Sequence, residues 1–309
     1  MGKETGIQWC DHTFNPWWGC TKVSPGCTHC YAEAMDKRTG GDHWGAGKDR
    51  RRTSRANWRE PLRWDRAAAA AGVRRRVFCA SMADWLDNEI PREWLCDLLG
   101  LVASTPTLDW LLLTKRPESC PQRLFAAFNT AYHDDHDGRN VARRWLLGVP
   151  PTNVWVGTTV EDQKRADERV VSLMDIPAAV RFLSVEPMLE PIDLQYAAFN
   201  GADSFGTMEG IHWVIVGGES GHHARPFDPL WAKSIVEQCR RAGVPVFVKQ
   251  LGSKPVLGDI GDLHGWPAGP GPVDWETGRI HLRHSHGADP AEWPAELRVR
   301  EFPELGAAP

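Results

Sequence analysis

Asp109-Trp-Leu-Leu-Leu-Thr114-Lys115 is an apolar run that closes on two polar residues, and its recurrence along the chain decides the fold. Upstream stands Arg76-Val-Phe-Cys-Ala-Ser81. Downstream come Asn153-Val-Trp-Val-Gly157-Thr158-Thr159, Arg181-Phe-Leu-Ser184-Val-Glu186-Pro187, His212-Trp-Val-Ile-Val-Gly217-Gly218-Glu219 and Val244-Pro-Val-Phe-Val-Lys249-Gln250. Short runs this apolar, with little alternation, read as strands buried on both faces. Segments rich in helix formers separate them, at Pro91 to about Ala103, from about Glu118, at Glu161 to Leu173 and at Asp228 to Arg241. Strand and helix in alternation predict a parallel sheet with crossover helices. With Thr13 to Trp18 as a first strand, the predicted fold is α/β: a full or partial (β/α) barrel of about six to seven parallel strands. It occupies residues 1–251, and residues 252–309 follow as a C-terminal cap.

Each predicted strand ends on a polar residue or glycine: Ser81, Thr114, Gly157, Ser184, Gly217 and Lys249. In barrels and in open α/β sheets, ligands sit at the carboxyl ends of the strands. The first strand runs into Cys20-Thr-Lys-Val-Ser-Pro-Gly-Cys27-Thr-His-Cys30-Tyr31. Cys27 and Cys30 form a C-x-x-C pair, which lets one tight turn present two thiolates, and Ser24-Pro25-Gly26 folds Cys20 back towards them. Three clustered sulfurs select a soft metal or an iron–sulfur cluster. Two readings stand level on spacing alone. One is a closed zinc site with Cys10, His12 or His29 as the fourth ligand. The other is a cluster whose fourth iron is open to a small molecule.

Composition bounds the rest. The chain has 309 residues, 42% hydrophobic and 25% charged, as in globular proteins, and a net charge of −4 excludes an overall basic nucleic-acid coat. No apolar run is long enough to span a membrane, and no charged-then-apolar leader opens the sequence. Eight cysteines without an export signal read as cytoplasmic thiols. Cys79, Cys96, Cys120 and Cys239 fall in strand or helix patterns and read as packing residues. His281, His284 and His286 have no accompanying thiol or carboxylate at ligand spacing and read as surface residues before a second metal site.

A stretch of about 35 residues after Thr39-Gly40-Gly41 reads as an inserted basic loop, at about 39–72. Arg50, Arg51 and Arg52 lie in it, flanked by Trp44 and Trp58. Guanidinium groups beside indoles suit phosphate contact and base stacking, although an arginine run on a loop is commonly just a solvated surface.

A three-cysteine loop after the first strand of a parallel barrel resembles the radical S-adenosylmethionine (SAM) superfamily. More closely, the chain is similar to the phage Gp37/Gp68 family. The matching residues are Thr5-Gly6-Ile7-Gln8-Trp9, Asn15-Pro-Trp-Trp-Gly-Cys20, Pro25-Gly-Cys27-Thr-His-Cys30-Tyr31-Ala32 and Leu112-Leu-Thr-Lys115-Arg116-Pro117. Val156-Gly157-Thr-Thr-Val-Glu161, Ser184-Val-Glu186-Pro187, Gly217-Gly-Glu219-Ser220 and the tail from Glu292-Trp-Pro294 to Pro303 extend the match over nearly the whole chain. The spacing here is C-x6-C-x2-C, where the superfamily's commonest form is C-x3-C-x2-C.

The resemblance implies a [4Fe–4S] cluster on Cys20, Cys27 and Cys30, with SAM on the fourth iron and a 5′-deoxyadenosyl radical that abstracts hydrogen from a substrate. It implies that His29 stacks on adenine and that Ser81 and Asp84 help bind the SAM amino group. Thr114 and Lys115 then end the third strand, with Lys115 near the SAM carboxylate. Thr158, Thr159 and Glu161 sit near ribose, Ser184 and Glu186 end the fifth strand, and Gly217, Gly218 and Glu219 end the sixth, where glycines allow close approach of a ligand. A flavodoxin-like or ferredoxin-like one-electron donor is the expected partner, and DNA or a nucleotide is the expected substrate. The expected location is the cytoplasm, that of the host cell for a phage protein. Two alternatives are a zinc-stabilised nucleic-acid-binding protein without catalysis and a radical enzyme acting on a small metabolite or peptide.

Overall fold

The structure is a computed structural model, and it describes residues 5–133, 136–195, 208–258, 273, 274 and 276–304. Seven strands form one parallel sheet in the order β1-β4-β5-β6-β7-β8-β9. They are β1 (His12–Thr13), β4 (Arg75–Cys79), β5 (Leu108–Thr114), β6 (Val154–Thr159), β7 (Val180–Val185), β8 (Trp213–Gly217) and β9 (Val246–Gln250). Helices separate them: α1 (Tyr31–Arg38), α2 (Arg55–Ala71), α3 (Arg92–Ala103), α4 (Cys120–Phe128), α5 (Asp137–Leu146), α6 (Gln163–Met174) and α7 (Pro229–Ala242). The order has two edges, β1 and β9, so the α/β fold is a partial (β/α) barrel and not a closed one. Two compact units divide the chain: residues 1–158 with 172–181, and residues 159–171 with 182–309.

In the first unit β5 is the central strand. Leu108, Trp110, Leu111 and Leu112 are fully buried, each side chain of this size contributing about 1.5–3 kcal/mol on burial. Its neighbours are set in register, Val77 opposite Trp110 on one side and Trp110 opposite Val154 on the other. Asn153 fixes the entry to β6, its side-chain amide donating to the carbonyls of Val102, Thr105 and Leu108. One polar residue thereby ties together three backbone carbonyls of the turn between α3 and β5.

The 39–72 stretch is corrected in two respects. Residues 55–71 are the helix α2: Ser54 accepts the N–H of Asn57 as N-cap, Ala67 to Ala71 supply strong helix formers, and Gly72 ends it at φ 64°. Arg51–Arg52 is the short strand β3, paired antiparallel with β2 (Trp17–Trp18). The expected single strand from Thr13 to Trp18 is likewise two elements. Pro16, which has no N–H to give a ladder, lies between β1 in the parallel sheet and β2 in the two-stranded antiparallel sheet.

In the second unit β8 is buried throughout, with Val214, Ile215 and Val216 at zero exposure. Helix α7 starts where the Asp228 carboxylate accepts the Leu230 N–H and stops at Gly243, φ 67°. The segment after residue 251 is bonded to the strand ends: Val248 N–H donates to Val299, Leu251 N–H to Gly287, and the Trp213 indole to Glu301. His281, His284 and His286 are exposed, and His284 Nδ1 accepts the backbone N–H groups of His286 and Ala288. That ring closes a turn. Of the Gly- and Pro-rich stretch 252–272, residues 259–272 lie outside the described residues.

Candidate functional site

In the first unit, a network of polar side chains surrounds the Asp84 carboxylate beyond the carboxyl ends of β4 and β5. Asp84 is 5% exposed. One of its oxygens accepts the Thr114 hydroxyl (2.7 Å) and the Leu86 N–H (2.9 Å). The other accepts the Lys115 N–H (2.8 Å) and Arg116 Nη1 (2.9 Å). Four donors satisfy this carboxylate in a place where an unpaired buried polar group would be costly. Thr158 extends the network, its hydroxyl donating to the Thr114 carbonyl at 3.0 Å.

Arg116, absent from the residues singled out by sequence, links this network to the cysteine loop. Its Nη1 and Nη2 lie 3.6 and 3.8 Å from Cys20 Sγ, and Nη2 also donates to the Thr21 carbonyl. Burial, helped by the negative charge of Asp84, pushes the Cys20 thiol up to about 12 against the pull of Arg116. Cys20 and Cys30 both pack against one small apolar cluster of Ala32, Trp44 and Met82. Cys27 ends the one-turn helix Pro25–Cys27, with Ser24 Oγ 3.8 Å from its sulfur, and Cys30 is the residue from which α1 starts. His29 is exposed on the same turn.

Cys20 and Cys30 lie on one apolar cluster, Cys20 also beside the Arg116 guanidinium, and thiolate is the donor type that an iron–sulfur group takes. Among the described residues, no three His, Cys, Asp or Glu side chains are drawn together in the manner of a metal-ion site. The loop is held by its neighbours instead. Gly45 N–H donates to Cys20 O at 3.0 Å, and Lys22 Nζ donates to Thr28 O at 3.2 Å.

A second residue missed by sequence, Asn15, fixes the end of β4. It is 1% exposed, its carbonyl oxygen accepts the Met82 N–H at 2.8 Å, and its amide donates to the Ser81 hydroxyl at 3.0 Å. Tyr31 donates to the Ser81 carbonyl at 2.6 Å, so Ser81 is tied to α1 as well. Arg116 and Asn15 each stood in a quoted motif. What the sequence withheld was their partner, tens of residues away in the chain.

The expected nucleic-acid loop is corrected for two of its members. Arg50 is 7% exposed and wholly engaged: it pairs with Asp87 (2.9 Å) and donates to the carbonyls of His43, Gly45 and Lys48 and to the Thr21 hydroxyl. Its work is to fasten the 43–48 turn beside the cysteine loop. Trp44 is 9% exposed, a member of the cluster that receives Cys20 and Cys30. Arg51 and Arg52 remain at the surface, where Arg51 stacks on Trp18 (4.4 Å) and Arg52 on Trp58 (4.3 Å).

In the second unit the strand-end polar residues close on one another. Glu161, fully buried, pairs with Arg169 at 2.8 Å, and the same guanidinium donates to Thr159 O. Ser184 is 4% exposed, and its carbonyl accepts the Val160 N–H. Glu186 pairs with Lys249 at 2.5 Å and accepts from Gln250. Glu219 holds Arg225 through both oxygens, at 2.7 and 2.9 Å. The glycines serve packing within the unit. A Cβ on Gly218 would stand 2.7 Å from Leu251 O and 2.9 Å from the Phe227 ring, and one on Gly217 3.2 Å from Gln250 O. The close approach that excludes a side chain there is made by the protein's own backbone.

A family model described as a protein of unknown function, DUF5131, matches residues 4–263, and the chain belongs to that family. No curated protein and no solved structure matches the chain. No helix among the described residues is long and apolar enough to cross a membrane.

Proposed function

We propose that this member of DUF5131 is a radical SAM enzyme whose cluster is held by Cys20, Cys27 and Cys30. The observation that carries the proposal is the contact of Arg116 with Cys20 Sγ, made from beside Asp84 at the strand ends. A [4Fe–4S] cluster bound there supplies one-electron reduction of SAM, and thereby hydrogen abstraction from a substrate.

The protein's own part is positioning and charge. Arg116 faces the first sulfur with a cation that favours thiolate over thiol once a metal replaces the proton. Asp84 keeps that guanidinium aimed, and Thr114 and the Lys115 N–H keep Asp84 aimed. Trp44 and Met82 cover one side of the loop and exclude water from it. Ser81, carried by Asn15 and Tyr31, is the strand-end hydroxyl that would meet the amino group of SAM.

Anaerobically reconstituted, dithionite-reduced protein is expected to convert SAM to 5′-deoxyadenosine and methionine at a low uncoupled rate. The Cys20→Ala, Cys27→Ala and Cys30→Ala variants are expected to form none. Turnover that survives in all three would remove the loop from the reaction. Arg116→Gln is expected to keep the fold and to lower both cluster occupancy and 5′-deoxyadenosine formation.

A further inference from the structure

Helix α2 opens onto a surface cavity that the cysteine site does not use. Its volume is about 560 Å³, and it is lined by Arg52, Thr53, Arg55, Trp58 and Arg59. Three guanidinium groups share this wall with no carboxylate. We propose that the cavity is a phosphate-binding cradle that takes the backbone of single-stranded nucleic acid.

The charges are available for a ligand. Arg55 and Arg59 stand one helical turn apart on α2, both exposed, and neither makes an ion pair or hydrogen bond with its side chain among the described residues. Their neighbours of opposite sign are engaged elsewhere, Glu60 with Arg63 at 2.8 Å and Asp97 with Arg52 at 2.7 Å. In a chain of net charge −4, two adjacent arginines left without carboxylates are an anion site by their chemistry.

The same geometry selects phosphate over base. One face of the Trp58 indole is covered by the Arg52 guanidinium at 4.3 Å, and its ring meets Phe14 edge-on at 5.6 Å. Trp58 therefore holds Arg52 in place and offers that face to no base. Arg52 is steadied further by Asp97, so the cradle has one guanidinium held by a carboxylate and two without one. Such a cradle follows a phosphodiester backbone and does not read its sequence.

The test is fluorescence anisotropy of a labelled mixed-sequence single-stranded DNA with the full chain, over a range of salt, with a mononucleotide as competitor. Wild type is expected to bind in a salt-dependent manner and with little base preference. Arg55→Gln/Arg59→Gln, at exposed sites where glutamine keeps helix propensity, is expected to bind roughly tenfold more weakly. Its log–log salt slope should be shallower by about 1.4, two phosphate contacts of a single strand. Arg143→Gln/Arg144→Gln on α5 removes the same charge from another exposed site and is expected to bind as wild type. Displacement of the DNA by millimolar mononucleotide, with both ligands lost in the α2 variant, assigns the cradle to phosphate at large. The proposal is overturned by the absence of any DNA binding, by an α2 variant that binds unchanged, or by an α5 variant that weakens as much.

Discussion

The strand-end residues of the first unit and those of the second are equally polar, yet they are spent differently. In the second unit Glu161, Glu186 and Glu219 each meet a cation from the same unit: Arg169, Lys249 and Arg225. Arg169 goes on to the Thr159 carbonyl, a backbone oxygen of the same unit. In the first unit the buried acid Asp84 meets Arg116, and the guanidinium then reaches a sulfur of the cysteine loop. A strand-end carboxylate is thus no evidence of a ligand by itself; what matters is whether its partner goes on to a cysteine sulfur, as Arg116 does.

Breaking the pairs of the second unit should cost stability and nothing else. Glu161→Ala strands Arg169 in a fully buried place, and the loss expected by urea unfolding is about 3–5 kcal/mol. Gly218→Ala drives a methyl against Leu251 O and is expected to cost about 1–3 kcal/mol. Lys249→Met removes a pair whose side chains keep 23% and 18% of their exposure, so the change should stay within about 1 kcal/mol. If Glu161→Ala were neutral while Lys249→Met was severe, the ranking by burial would fail.

The smallest effect belongs to the far end of the first unit. At Asp11, burial raises the carboxyl, but the Arg76 N–H and the charges of Arg75 and Arg76 outweigh it and hold it below the usual carboxylate range. A depressed folded value means that its stabilisation is present above the unfolded value and is lost as pH falls through the folded one. Asp11→Asn is therefore expected to lose well under about 1 kcal/mol at pH 7 and to flatten the acid side of the stability profile. An unchanged acid limb would show that the carboxylate is not held in this way.

The strands were legible because β5, β6 and β8 are buried on both faces, so each carries an apolar run with little alternation. Helix α2 was not. Its first turns carry arginines, a tryptophan and Pro61, which mask the amphipathic period, and only Ala67 to Ala71 declare it. The two-residue strands β2 and β3 carry no period at all and exist by pairing with each other. The three cysteines could be read from spacing, since C-x-x-C is a local feature. The Cys20–Arg116 contact joins residues far apart in the chain, and Arg50 reads as a surface charge until Asp87 is seen beside it. Long-range partnership is what a single sequence conceals.

The account's central claim is that the three-cysteine loop holds an iron–sulfur cluster, and counting metal tests it most directly. Iron, sulfide and zinc would be measured on anaerobically reconstituted wild type and on the Cys20→Ala/Cys27→Ala/Cys30→Ala triple variant. The account predicts brown wild-type protein with about four irons and four sulfides per chain, and a colourless variant with neither. Colourless wild type with about one zinc per chain, or iron retained by the variant, would contradict it.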